Sequence, residues 1–349
     1  MASLVAPLIE TPLLQSSLVS DINTGVEIED AFATLSRDQD GVELTFDTLL
    51  PIGTYTIWWV IFNNPEFCVD GCGADDFERP EVNASIFWAT GEVVSAEGMA
   101  SFSAQLGEGE TPSGADQVLF GEGIEDSFKA EIHPIIRTHG LPIPGLVEEQ
   151  ITTFNGGCPP NECFDIQVAV FPSVSVTVDF EGEDLSAGDL ITDQFADLGL
   201  TISTPSEFGA MLFDTNNPTG GDLDLAASGL GNVLILSEDG DVTDPDDNAK
   251  GGVLTFEWDE LVGVTGIGLL DIDEPGGSIT FYDEKSNVIE TVDIPELGNN
   301  SFQELDLYVE NVARMDISLA SSGAVTAVDF IPSDNFDAIA ATADTLPAA

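Results

Sequence analysis

The sequence predicts an all-β protein made of two antiparallel β-sandwich domains, the second of them jelly-roll-like. Three observations carry this. Short runs of β-branched and aromatic residues recur along the chain, each bounded by Gly, Pro, Asn or Asp. Almost no stretch shows the helical spacing of apolar residues. At 349 residues the chain is long enough for two separate cores, and no repeat of fixed period points to a solenoid instead.

Taken in order, residues 1–40 mix apolar and polar positions without a clear period. They read as an N-terminal segment, extended or exchanged with a neighbouring copy. The first domain spans 41–171. Val42–Phe46 alternates as a half-buried strand, and Tyr55–Phe62 is a continuous β-branched and aromatic run, the pattern of a central strand buried on both faces. Trp58 and Trp59 then point to opposite faces, and core packing is the expected role of both, as of Trp88 and Trp258. Ala84–Ala89 and Gly98–Leu106 follow. Lys129–Arg137 is a further strand, expected at an edge or a bulge because Pro134 has no N–H to give to a ladder. Asp165–Phe171 closes the domain.

The second domain spans 174–332 and opens on Val174–Val178, with a short helix or turn expected over Ala187–Leu198. Strands are expected at Val233–Leu236, Val253–Trp258 and Val264–Asp271. Ser278–Asp283 pairs with Val288–Asp293 in a hairpin, and Leu305–Val309, Arg314–Leu319 and Val325–Phe330 complete the set. Residues 333–349 read as an Ala/Thr-rich tail.

Charge narrows the function classes. Seven Lys+Arg stand against 64 Asp+Glu, a formal charge of −57. Nucleic acid and anionic membrane surfaces need a basic face and are excluded as partners. So large a charge repels itself unless salt screens it or cations bind, which fits a saline environment, multivalent calcium binding, or both. No run of apolar residues is long enough to insert in a membrane as a helix, while the apolar fraction of 43% argues for folded cores. The opening residues lack the basic and apolar regions of a signal peptide.

The acids are densest between Phe213 and Gly252, in loops on either side of the apolar run Val233–Leu236. Carboxylates packed this closely call for a hard cation held through oxygens, above all Ca²⁺. One candidate ligand cluster is Asp239, Asp241, Asp244, Asp246 and Asp247; a second is Asp214, Asn216, Asp222 and Asp224. A third joins Asp179 and Glu181 on the first jelly-roll strand to Asp329 on the last. Asp239-Gly240-Asp241 lacks the glutamate and spacing of an EF-hand. For each single residue the plainer reading is a solvated loop acid.

Four cysteines form two close pairs, Cys68/Cys72 and Cys158/Cys163. Three disulfide connectivities exist, the two local loops being preferred, and a zinc site is the competing reading. His133 and His139 share a face of one strand with Glu131 and Arg137, a weak metal or acid/base candidate against a structural hydrogen-bonding role. No hydrolase, metalloprotease, nucleotide or dinucleotide motif is present, so a non-catalytic protein is expected.

In the first domain TYTIWWVIFNNPEFC, SIFWATGEV, AEIHPIIRTHG and TFNGGCPPNEC resemble an uncharacterised domain of secreted proteins from environmental and marine bacteria. In the second, LITDQFADLGLTIS, FDTNNPTGGDLDL, GLGNVLILSEDG, DPDDNAKGG and GLLDIDEPGG resemble a module of exported bacterial surface proteins, some with an exosortase-type sorting tail. That module is also similar in pattern to the calcium-bearing jelly rolls of carbohydrate-binding modules. The ending TLPAA departs from the sorted proteins, having neither an apolar anchor nor a basic tail. The resemblance implies secretion and a cell-surface setting, and no activity.

The expectation is therefore a secreted, calcium-binding structural or adhesive protein, a subunit or module of an extracellular matrix, surface layer or filament. Its partners would be its own copies or other extracellular components. A carbohydrate-binding surface module is the alternative, predicting exposed aromatic rings beside a Ca²⁺ site. An extracellular hydrolase using a metal or paired carboxylates is the third reading.

Overall fold

The computed structural model describes residues 12–332 apart from 70, 115 and 183–184. The expectations for residues 1–11 and for the tail 333–349 lie outside the described residues. The chain divides between Val174 and Ser175 into two compact units. Both are antiparallel β structures, as the sequence predicted.

The N-terminal domain holds β1 (Leu13–Asp21), β2 (Glu27–Asp38), β3 (Gly41–Leu50), β4 (Gly53–Phe62), β5 (Ala84–Val94), β6 (Gly98–Gly107), β7 (Val118–Phe120), β8 (Glu131–Thr138), α1 (Val147–Thr152) and β9 (Phe164–Val168). They form one sheet in the order β6-β3-β2-β1-β9-β8-β4-β5-β7. The sheet folds back on itself, so inward residues of β2, β3 and β6 share one core with those of β4, β5 and β8. Of the segment expected to stand apart, 1–40, the described residues 12–40 supply β1 and β2 of this sheet. Its alternation is real (Ala31, Ala33 and Leu35 face inward) but the next inward residue is a buried arginine, Arg37, which hides the period.

Every residue of β4 is buried. Trp59 faces the main core, while Trp58 packs on the opposite face with Val60, Phe62 and Phe154. Fully burying one such side chain is worth ~2–3 kcal/mol, so this strand anchors the domain. Pro134 departs from expectation, because β8 lies inside the sheet between β9 and β4. Between the pair Ile135↔Val168 and the bridge Ile132↔Phe171, Pro134 contributes only its carbonyl, which accepts the Ala169 N–H, so the missing N–H interrupts the ladder at one place.

The C-terminal domain holds β10 (Val176–Val178), β11 (Leu190–Ile191), β12 (Leu200–Ser203), β13 (Ala210–Asp214), β14 (Asn232–Leu236), β15 (Gly252–Leu270), β16 (Ser278–Tyr282), β17 (Val288–Asp293), β18 (Phe302–Leu319) and β19 (Ala324–Ile331). The main order is β11-β13-β14-β19-β15-β18-β16-β17, with β10 on β19 and β12 on β15. The hairpin of β16 and β17 forms in the expected register, Ser278 opposite Asp293.

Two expected strand pairs are single long strands. Val253–Trp258 and Val264–Asp271 merge into β15, and Leu305–Val309 and Arg314–Leu319 into β18. Bulges bend them where a turn would have been read, with Tyr308 and Asn311 at positive φ. β15 pairs with β12 through residues 255–258 and with β19 through 263–270, which lets one strand serve both layers of a jelly-roll-like sandwich. The segment expected as a short helix or turn holds turns and one 3₁₀ helix at Ala196–Leu198, with the two-residue β11 inserted at Leu190–Ile191.

Candidate metal centre

The acidic loops of the C-terminal domain are positioned by a small apolar cluster. After β13 the chain makes a 3₁₀ turn at Leu223–Leu225, and Leu225 buries among Met211, Phe213, Val233, Ile235, Leu270 and Ala324. In the sequence Asp222-Leu223-Asp224-Leu225 that one anchored leucine fixes both aspartates. Leu270 and Ala324 belong to the same cluster and adjoin Asp271 and Gly323, so five chain segments converge there.

The carboxylates are linked in series. Asp222 Oδ2 accepts the Asp247 N–H at 2.7 Å, and Asp247 Oδ2 accepts the Gly323 N–H at 2.8 Å. Ser322 Oγ donates to Asp271 Oδ2 at 3.1 Å, and the Asn300 N–H donates to Asp271 Oδ1 at 2.5 Å. Asp271 is 0 % exposed and Asp247 6 %. Asp271 also holds a left-handed backbone, φ 61°, so its conformation as well as its charge is costly.

Burial, then the surrounding acids, pushes the Asp222 carboxyl up to about 6, with Asp247, Asp224 and Asp246 contributing. Asp247 and Asp271 are also raised, burial first, and Asp224 acts on both. Asp224 is therefore felt by all three. Among the described residues no ion pair involves Asp222, Asp224, Asp247 or Asp271. Ionised groups withdrawn from water without a counter-charge are expensive, although among the described residues these aspartates do not gather three ligand atoms within 4.8 Å of one another.

This grouping cuts across the clusters expected from sequence. Asp247 leaves the first cluster to join Asp222 and Asp224 of the second. Asp239 and Asp241 bond within their own exposed loop, Asp239 to the Asp241 N–H and Asp241 to Thr243, which lowers the Asp241 carboxyl. Asp244 accepts the Gly220 N–H at 2.8 Å, while Asp246 carries a buried Oδ1 without a hydrogen-bond partner. Asp214 caps its own turn through Asn216 and Asn217, and Asn216 Oδ1 accepts the Gly229 N–H.

The third cluster is divided among other partners. β10 and β19 do pair, yet Asp329 takes the Thr177 hydroxyl, Glu181 takes the Asn232 N–H, and Asp179 bonds the Glu181 N–H. Asp271 and Ser322 were not among the expected ligands. The available signal was an aspartate directly after the buried end of a strand, Leu269-Leu270-Asp271.

In the N-terminal domain Cys68 joins Cys72 and Cys158 joins Cys163, the two local loops. His139 Nδ1 lies 3.7 Å from Cys163 Sγ and 3.9 Å from Cys158 Sγ, with both sulfurs committed to their disulfide. Its Nδ1 bonds Gly156 O at 2.9 Å and its Nε2 bonds Thr56 Oγ1, which also accepts the Trp58 indole N–H. Burial lowers the His139 imidazole. His133 instead pairs with Glu131 at 2.7 Å and packs edge-on to Phe62. The two histidines are locked into separate networks and do not form one site.

Among the described residues no helix is long and apolar enough to cross a membrane. Of the tryptophans, Trp58, Trp59 and Trp258 are buried and Trp88 is half-buried, its indole N–H bonded to Ile151 O.

No family model matches the sequence, and no curated protein does. Among solved structures, the chain is similar to a fucolectin from striped bass (Morone saxatilis) serum, at 10% identity and TM-score 0.25, over 89% of this chain and 87% of that one. It is similar to allantoicase from Saccharomyces cerevisiae at 9% identity and TM-score 0.25, over 87% and 78%. A Streptococcus pneumoniae fucose-binding module aligns at 11% identity and TM-score 0.23, over 43% of this chain and 98% of that one. At such identities and scores none of these likenesses bears on what this chain binds.

Proposed function

We propose that this chain is a calcium-stabilised structural or adhesive module that works outside the cell. One observation carries the reading: Asp247 and Asp271, two carboxyls at 6 % and 0 % exposure, sit on loops tied together through Asp222, Ser322 and Gly323, and among the described residues no lysine or arginine pairs with them. Ca²⁺ held there ties the loop after β13, the loop after β14, the end of β15 and the β18–β19 turn into one rigid end of the sandwich. The two disulfides fasten loops of the N-terminal domain and suit an oxidising compartment. The reading is non-catalytic, and the free acidic surface is available for cation-bridged contact with other copies or matrix components.

Thermal unfolding at fixed high ionic strength, with and without EGTA, tests it. A ligand at about a hundred times its Kd that binds only the folded state adds ~3 kcal/mol. A C-terminal domain whose melting temperature ignores calcium removal would rule the reading out.

Glycan binding is the second reading. Phe208 is part-exposed and packs against Gly240 of the acidic loop, and Phe302 is part-exposed beside Ser301. Aromatic rings beside a few placed polar groups are a lining that small-molecule sites use. Calcium-dependent retention on a fucose-bearing resin that Phe208→Ala abolishes is the outcome that would establish it.

A further inference from the structure

The N-terminal domain carries a second feature, remote in sequence from the acidic centre. Between Leu18↔Phe32 and Ser20↔Glu27 the β1–β2 ladder slips, so that residues 28–31 of β2 oppose Val19 alone. Asp30 takes a left-handed conformation, φ 61°, to make the excursion. The looped-out backbone walls an open pocket of about 450 Å³ with Leu18, Ile28 and Phe32 as its apolar lining and Glu27, Glu29 and Asp30 as its acids. Bulges of this kind commonly re-aim side chains at functional sites.

The apolar surface continues beyond the pocket. Phe32 is paired with Asp47 of β3, and two residues further along β3, on the same outer face, Leu49 pairs with Met99 of β6. Leu18 is 59 % exposed, Phe32 39 %, Leu49 42 % and Met99 55 %. The other outward positions of β2, β3 and β6 are polar, among them Thr34 and Ser36, Glu43 and Thr45, Ser101, Ser103 and Gln105, while on β1 the part-exposed Leu14 lies opposite Ser36. Four exposed apolar groups thus lie near one end of one sheet face, with Asp47 between Phe32 and Leu49, and exposed apolar groups gathered in this way suit a contact surface.

The rim decides what fits. Glu27, Glu29 and Asp30 offer acceptors only, and among the described residues none is engaged by a lysine or arginine. For a neutral glycan the side chains here supply acceptors alone, and donors would have to come from the looped-out backbone. A second copy brings the same negative charge, −57 per chain. A ligand that supplies both positive charge and donors, with apolar groups beside them, complements the patch.

We propose that the β1–β2 bulge and the adjoining face of β3 and β6 dock a cationic amphipathic segment of another protein. Its lysine or arginine groups meet Glu27, Glu29 and Asp30 while its apolar side chains cover Leu18, Phe32, Leu49 and Met99. This surface is separate from the calcium reading and stands or falls without it.

The test uses the full chain and a fluorescent octapeptide of alternating lysine and leucine, followed by anisotropy at moderate salt. Phe32→Ser and the pair Glu27→Gln/Glu29→Gln are each expected to weaken binding roughly tenfold or more, as truncation at a contact centre does. Glu284→Gln, an exposed acid on the β16–β17 turn, leaves it unchanged. All these side chains are at the surface, and circular dichroism confirms the fold of each variant. Equal peptide affinity in wild type and Phe32→Ser, or an equal loss in Glu284→Gln, overturns the proposal in favour of diffuse attraction. Displacement of the peptide by a neutral oligosaccharide overturns it in favour of a glycan site. A dimer that Phe32→Ser dissociates overturns it in favour of self-association.

Discussion

The two domains bury charge in opposite ways. In the N-terminal domain Arg37 is fully buried, and its guanidinium reaches five acceptors: Gln15 Oε1 and the carbonyls of Ser127, Ala130, Phe171 and Pro172. Burial pulls its pKa down to about 9, still charged at neutral pH, with Asp126 and Glu131 supporting the cation. The chain itself answers this charge. In the C-terminal domain Asp222, Asp247 and Asp271 have backbone and hydroxyl donors but no cation, and each is pushed up by burial. The difference separates a charge that the fold answers from carboxyls that, among the described residues, it leaves without a cationic partner. The domains also differ in fastening: two disulfides secure loops of the first, and carboxylates gather loops of the second.

The comparison breaks most visibly at Arg37. Arg37→Met leaves several buried acceptors unsatisfied and is expected to cost about 3 kcal/mol or more, read from denaturant unfolding, with calcium making no difference. Calcium removal comes next, ~3 kcal/mol confined to the C-terminal domain. Asp271→Asn sharpens this: in EGTA it leaves stability level or raises it, and it erases the gain from calcium. An asparagine that destabilises equally with and without calcium would assign Asp271 a purely structural role.

Reducing the disulfides is expected to cost about 2 kcal/mol for each of these short loops, in the N-terminal domain alone. The smallest effect is on pH dependence. Raised folded-state carboxyls bind protons more readily than the unfolded chain, so their contribution favours the cation-free fold at low pH. It is lost as pH rises from about 4 to about 6, the value for Asp222. Calcium, which binds the ionised form, reverses the slope across that window, and melting curves at several pH values with and without the ion report it.

Much of this was legible in the sequence, and the omissions share a cause. β4 announced itself because all its residues are apolar or small and both its faces are covered. The hairpin of β16 and β17 was visible because its turn, Glu284–Asn287, is locally coded; Asp283 accepts from Lys285 and Asn287. β2 was obscured because a buried arginine interrupts its apolar alternation, and four of that arginine's five acceptors lie far along the chain. The long β15 and β18 were read as pairs because bulges interrupt a strand with the residues that also make turns.

The acidic centre shows the same limit. Its region and two of its loops were evident from aspartate density. Density could not tell Asp247, which turns inward, from Asp241, which bonds Thr243 in solvent. Nor could it bring in Asp271 from the far end of β15, since only the folded strands set that aspartate beside Ser322.

Calorimetric titration of calcium into the EGTA-stripped full chain, at high sodium chloride and alongside Asp247→Asn, tests the central claim most directly. The account predicts a saturable site that survives monovalent salt and disappears in the variant while the fold persists. Heat that vanishes with salt, or a site of undiminished affinity in Asp247→Asn, would contradict it and leave the buried carboxylates of the C-terminal domain without a metal.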